Sequence, residues 1–173
     1  ERKHPEAELL LSDPVVWSER LRNALVLNPK RKHGDDEPMT ADSEAEPSYK
    51  LVIGREELNS LRKAMAIHLT HADWLTTFMK HDGLKSLVEI AKHILYTDGE
   101  SVAVNGVADA ERLLRSIIGI LQALTTHPFG LSAIVQTQAM VVNVVQMLNY
   151  TGDAFRLECI DLLTTLIKQA VTH

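Results

Sequence analysis

The chain has 173 residues, enough for one ordinary domain or one short run of stacked repeats. Apolar residues make up 45% and charged residues 24%, which supports a packed core and excludes global disorder. A net charge of -5 argues against a nucleic-acid platform, which would carry a basic stripe. The longest apolar stretches are too short to span a bilayer, and the N-terminus has no signal-peptide pattern. Because the first residue is Glu1 rather than Met, the chain is expected to be a piece of a longer protein.

Residues 1–27 read as a helical cap. In "SDPVVWSERLRNALVL", Ser12 or Asp13 can cap a helix and Pro14 suits its first turn; Val16, Trp17, Leu21, Ala24 and Leu25 share one side. Residues 28–48 lack apolar periodicity. A basic knot (Lys30, Arg31, Lys32) precedes an acidic tract (Asp35, Asp36, Glu37, Asp42, Glu44, Glu46), the composition of a flexible linker.

From Tyr49 onward nearly everything reads as helix. "REELNSLRKAMAIHL" spaces Leu58, Leu61, Met65 and Leu69 helically; "ADWLTTFMKHD" carries Trp74, Leu75, Phe78 and Met79 and is closed by Gly83. "LKSLVEIAKHIL" follows, then a polar loop, "YTDGESVAVNG". "ERLLRSIIGILQAL" is strongly periodic, and "DAFRLECIDLLTTLIKQAV" repeats its style. "MVVNVVQML" is rich in valine, which favours strands. With no second strand-like segment to pair with, it is read as helix.

A repeat lies inside this series. Trp74-Leu75-x-x-Phe78-Met79 aligns with Gly130-Leu131-x-x-Ile134-Val135, and Leu114-x-x-Ile117-Ile118 aligns with Cys159-x-x-Leu162-Leu163. Each unit reads as short, medium and long helix with a period near 45 residues, the armadillo-type signature. Such units share a continuous core because none buries its own apolar surface. The abrupt break at Thr126-His127-Pro128 is then a repeat junction: proline cannot continue one helix but suits the first turn of the next. Gly130 allows close approach at that corner.

The interval from Ser116 to Gly152 contains no Asp, Glu, Lys or Arg. One reading is a pair of mid-stack helices covered on both sides. The other is an interface core, since Gln122, Thr125, Thr126, Gln136, Gln138, Asn143, Gln146 and Asn149 are polar and need partners. Gln122 and Thr125, on the long helix, are assigned to a groove. Trp74 falls in a repeat's apolar stripe and reads as core, whereas Trp17, on an isolated cap helix, suits either core or partner anchor.

Cys159, the single cysteine, sits in an apolar pattern and reads as a buried small side chain in a reducing compartment. Among eight histidines, His68 and His71 lie three apart with His81 nearby. Zinc requires three or four ligands, and no second His/Cys pair accompanies them. No phosphate loop, nucleophile elbow or paired nucleophile and base occurs. No metal, cofactor or enzymatic activity is therefore expected.

The segments "WLTTFMKHDGLKSLV" (74–88), "LLRSIIGILQALTTHPFGLSAIV" (113–135) and "RLECIDLLTTL" (156–166), with the upstream "EPSYKL", resemble the N-terminal regulatory region of formins across about 49–170. The resemblance implies an all-α, armadillo-like right-handed helical stack: a cap over 1–27 (GTPase-binding segment), a linker over 28–48 and repeats over 49–173. It implies binding of a GTP-bound Rho-family GTPase through the cap and first repeat, at Trp17, Thr70, His71, Ala72 and Asp73. It also implies a concave groove holding an autoinhibitory C-terminal segment of the same protein, with Thr125, Thr126, Thr165 and Lys168 joining Gln122. Actin would be engaged only indirectly, through domains outside this chain, at a cytoplasmic location on the actin cytoskeleton. Nucleic-acid binding and direct membrane insertion are not expected. The alternative is a constitutive armadillo-type scaffold that docks a partner peptide or helix without GTPase control. Packing of the cap on the first repeat beside 70–73 would favour the GTPase reading.

Overall fold

A computed structural model describes residues 13–27, 49–68, 71–97, 107–150 and 152–172. The described chain is mostly helical, with one small two-stranded sheet. In order come α1 (Pro14–Arg22), β1 (Leu25–Leu27), β2 (Tyr49–Leu51), α2 (Arg55–His68), α3 (Ala72–Lys80), α4 (Gly83–Tyr96), α5 (Val107–Thr125), α6 (Pro128–Gln136), α7 (Gln138–Met147) and α8 (Asp153–Val171). The linker expected over 28–48 lies outside the described residues, as does Thr70.

The short, medium, long order appears twice. Helices α3, α4 and α5 have 9, 14 and 19 residues, and α6, α7 and α8 have 9, 10 and 19. The contacts repeat as well. The medium helices α4 and α7 touch, and so do the long helices α5 and α8. Ahead of them, α1 lies against α4 and α2 lies against α5. One apolar core runs from Trp17 and Leu58 through Leu87 and Ile117 to Phe155 and Leu166.

Helix-to-helix hydrogen bonds mark the shared faces. The Asn143 side-chain amide on α7 donates to the Val88 carbonyl on α4 at 3.1 Å, and Ser116 on α5 donates to the Asn59 side chain on α2 at 3.2 Å. Both Asn143 and Ser116 are buried, where an unmet polar group would cost about 1–3 kcal/mol. The valine-rich segment is helical, as α7. Its apolar side toward the core is Met140, Val144 and Met147, all buried.

The junction at Pro128 follows the expected chemistry. Pro128 opens α6, and the His127 ring Nδ1 accepts a hydrogen bond from the Phe129 N–H at 3.2 Å, acting as the cap. The last turn of α5 closes through Thr126 and His127 N–H groups donating to Ala123 and Leu124 carbonyls, both at 3.2 Å. Helices α6 and α7 then bend by 85° about Thr137. Among the described residues no single helix is long and apolar enough to cross a membrane.

Three expectations need correction. Residues 1–27 are not helical throughout, and Tyr49 does not start a helix. Leu25–Leu27 pair antiparallel with Tyr49–Leu51, Leu25 opposite Leu51 and Leu27 opposite Tyr49. The pairing is extended by the Val52 N–H donating to the Ala24 carbonyl at 2.8 Å. Leu25 and Leu51 pack partly against the core, which is what holds so short a ribbon in place. Gly83 does not close α3 either. Asp82 makes the turn at φ 64°, a left-handed conformation that Asp tolerates, and Gly83 is the first residue of α4. A Cβ at Gly83 would collide with the Phe78 ring, so the corner admits only glycine there.

Candidate protein-interaction surface

Helix α1 is fixed to α3 and α4. Asp13 Oδ1 accepts from the Val15 N–H at 2.8 Å and Pro14 fills the first turn, so α1 starts where its sequence says it should. Trp17, Leu21 and Ala24 are buried, each 1% exposed or less, on the side that meets α3 and α4. The Ser18 hydroxyl, also buried, lies 2.8 Å from the Pro14 carbonyl and 3.2 Å from that of Phe78, one donor placed between two acceptors. Arg22 donates to the His81 carbonyl at 2.8 Å, and Arg20 pairs with Glu57 on α2 at 3.4 Å.

This placement decides the role of Trp17. Its side chain is 0% exposed, so it serves as the peg that seats α1 and not as an anchor a partner could reach. Arg20 covers the ring at 5.7 Å from its centroid. Trp74 is buried as expected.

Aromatic rings stack at the start of α3. His68, Trp74 and Phe78 form a ring ladder, with centroids 6.1 Å and 5.5 Å apart and planes within 12° of parallel. The His71 N–H donates to the His68 carbonyl at 2.8 Å, and the Trp74 N–H donates to the His71 carbonyl at 3.0 Å. His71, Ala72 and Asp73 are all exposed on this fixed turn, with Asp73 in the first turn of α3, where an acid complements the helix dipole. His71 occupies the cap position without a side-chain cap bond, and its ring lies tilted beside that of His68, with centroids 6.3 Å apart.

Between the cap and α4 lies a cleft of about 550 Å³ that the sequence analysis does not anticipate. Leu21, Leu25 and Tyr49 form one wall, and Lys85, Lys92 and His93 contribute to the other. It depends on the ribbon placing Tyr49 opposite α4, which no local periodicity announces. His93 Nδ1 lies 3.2 Å from Thr97 Oγ1, while its buried Nε2 has no hydrogen-bond partner among the described residues. Burial lowers the His93 pKa from its ordinary 6.5, keeping the ring neutral near pH 7. Since the folded state resists a proton the unfolded chain accepts, stability is retained above pH 6.5 and declines as pH falls below it. Chemical denaturation at pH 7.5 and pH 5 should show this decline in the parent chain and a smaller one in His93→Gln.

The residues assigned to the groove lie on the two long helices, with Thr126 one residue past the end of α5, and Arg115 and Glu158 bridge these helices at 3.3 Å. Gln122 and Thr125 are half-buried; Thr126, Thr165 and Lys168 are exposed. Gln122 on α5 and Thr165 on α8 each lie seven residues beyond that bridge, about two turns along the same face of their helices. The threonines do not wait for a partner. Thr125 donates to the Gln122 carbonyl and Thr126 to that of Ala123, both at 2.7 Å, and Thr165 donates to that of Asp161 at 3.1 Å. Gln136 and Asn149 likewise find Ser132 and Gln146. The uncharged polar interval is therefore largely satisfied within the chain.

Cys159 is buried, and burial together with the adjacent Glu158 charge pushes its thiol up to about 11, the setting of a packing residue. Compared with family models, curated proteins and solved structures, the chain matches none.

Proposed function

We propose that the chain is an armadillo-like, right-handed regulatory stack of the formin type, which binds an active Rho-family GTPase and takes part in autoinhibition. The observation that carries this reading is the docked cap. Helix α1 packs on α3 and α4 through Trp17 and Leu21, so its outer surface and the exposed His71–Asp73 turn belong to one rigid unit. Such a composite surface suits a partner that must be recognised in one nucleotide state, because both contacts have to be satisfied together. Coupling to the long-helix face, with Gln122, Thr125, Thr165 and Lys168, then needs only differential binding. A full reversal of a two-state equilibrium takes about 5.5 kcal/mol.

Capture of Rho-, Rac- and Cdc42-type GTPases on the immobilised chain tests the reading. GTP-loaded protein should be retained and GDP-loaded protein should pass through, and His71→Ala/Asp73→Lys should abolish the difference. Equal capture of both states, or of neither, would refute it. A constitutive scaffold is favoured by a different observation, the cleft of about 550 Å³ beside α4. It requires peptide docking there without any dependence on nucleotide.

A further inference from the structure

The last helix carries an apolar face that nothing covers among the described residues. Leu157, Ile160, Ile167 and Val171 on α8 are 66, 49, 62 and 80% exposed, and Thr164 between them is exposed too. From Leu157 to Val171 these positions alternate steps of three and four residues, the spacing of a coiled-coil seam. The Thr164 hydroxyl donates to the Ile160 carbonyl at 2.8 Å, which removes its polarity from that seam. The charges beside it are few. Asp161 and Lys168 are exposed, and neither is in an ion pair among the described residues.

We propose that this face joins two copies of the chain, α8 against α8 in antiparallel order. Antiparallel packing sets each seam residue of one kind against the other kind in the second copy. Ile160 then meets Val171 of the second copy, Thr164 meets Ile167 of the second copy, and the two-fold axis repeats both layers. In that register Asp161 flanks Lys168 of the second copy, and the symmetric pair forms on the other side. Both unpaired charges are matched at once. A parallel pair would instead turn Asp161 toward Arg156 of the second copy. Arg156 is already engaged by the Leu148 and Tyr150 carbonyls at 3.2 and 2.8 Å, and Lys168 would face Leu163. The charge pattern therefore selects the antiparallel arrangement. This interface does not rest on the GTPase reading, although it engages Lys168, which that reading places on the long-helix face, so a second copy and an autoinhibitory segment would compete for that side chain.

Sedimentation equilibrium of the 173-residue chain tests the proposal, with circular dichroism to verify folding of each variant. The parent should show a concentration-dependent monomer–dimer equilibrium, and Ile167→Glu should weaken it at least about tenfold by placing a charge in the seam. Lys168→Asp alone should weaken association, and Asp161→Lys with Lys168→Asp should restore it, since the reversed charges still meet across the axis. These two positions are exposed, so their variants keep the fold even if Ile167→Glu does not. A chain that stays monomeric at every concentration would assign the face to some other helical segment and overturn the proposal. A dimer indifferent to the charge exchange would overturn the antiparallel register.

Discussion

Replacing Trp17 with alanine is expected to lower the unfolding free energy by about 3–5 kcal/mol, the range for emptying a large aromatic site in a core. The side chain is 0% exposed and lies in the same apolar cluster as Leu21, Leu75, Phe78 and Leu87. The void would open between α1 and the helices beneath it. The Ser18–Phe78 hydrogen bond would lose its register, and the ribbon would lose the helix that leads into it. Urea denaturation should show a lower midpoint, and proteolysis should show earlier cleavage near α1 than in the parent. Under the proposed function the same variant should lose nucleotide-dependent capture although His71 and Asp73 are untouched, because the composite surface comes apart. A variant that unfolds at the parent's midpoint would show that α1 contributes little to the stack.

Gly130→Ala is expected to cost about 2–3 kcal/mol, the effect of forcing a carbon into a filled site. The direction is diagnostic, since alanine inside a helix is ordinarily favoured over glycine by about 1 kcal/mol. Here a Cβ would run into the carbonyl oxygen of Leu124 at the end of α5. That obstacle is backbone, so no side chain can rotate aside. Relief would require α6 to move away from α5, and with it the turn around Pro128. Gly54→Ala is the control: nothing lies within 4 Å of the added carbon, and stability should stay within about 0.5 kcal/mol of the parent. Thermal denaturation of the two variants side by side separates a steric junction from a general intolerance of substitution.

The helices were legible because their apolar residues recur at the period the backbone imposes. Leu114, Ile117, Ile118 and Leu121 announce α5, and the parallel series through Cys159 and Leu162 announces α8. The corner at Pro128 was legible for the same reason: proline and glycine act through sterics that need no tertiary information. The ribbon was not. Three residues are too few to display an alternating pattern, and the strands pair across 21 intervening positions. Trp17 looked the same from the sequence whether it faced a partner or the core, since only the position of α4 decides which. Thr125 and Thr126 read as polar residues in need of partners and Thr165 as a groove position, yet each hydroxyl reaches a carbonyl three or four residues back, an outlet open to any threonine in or just after a helix. Of the site, the His71–Asp73 turn could be located from its place before Trp74. The cleft beside α4 could not, because its walls come from segments distant in sequence.

The pairing of Leu27 with Tyr49 has a consequence for how this chain can vary. The two ends of the 28–48 stretch are brought side by side by backbone hydrogen bonds on the cap itself, so the points where that stretch leaves and returns are fixed. The entropy of joining two fixed ends grows slowly with the length between them, by about 0.6 kcal/mol for each doubling. Insertions, charge changes and new recognition motifs can therefore accumulate between the two strands while the helices below keep their arrangement. The clasp separates a part of the molecule free to diversify from one that must stay fixed.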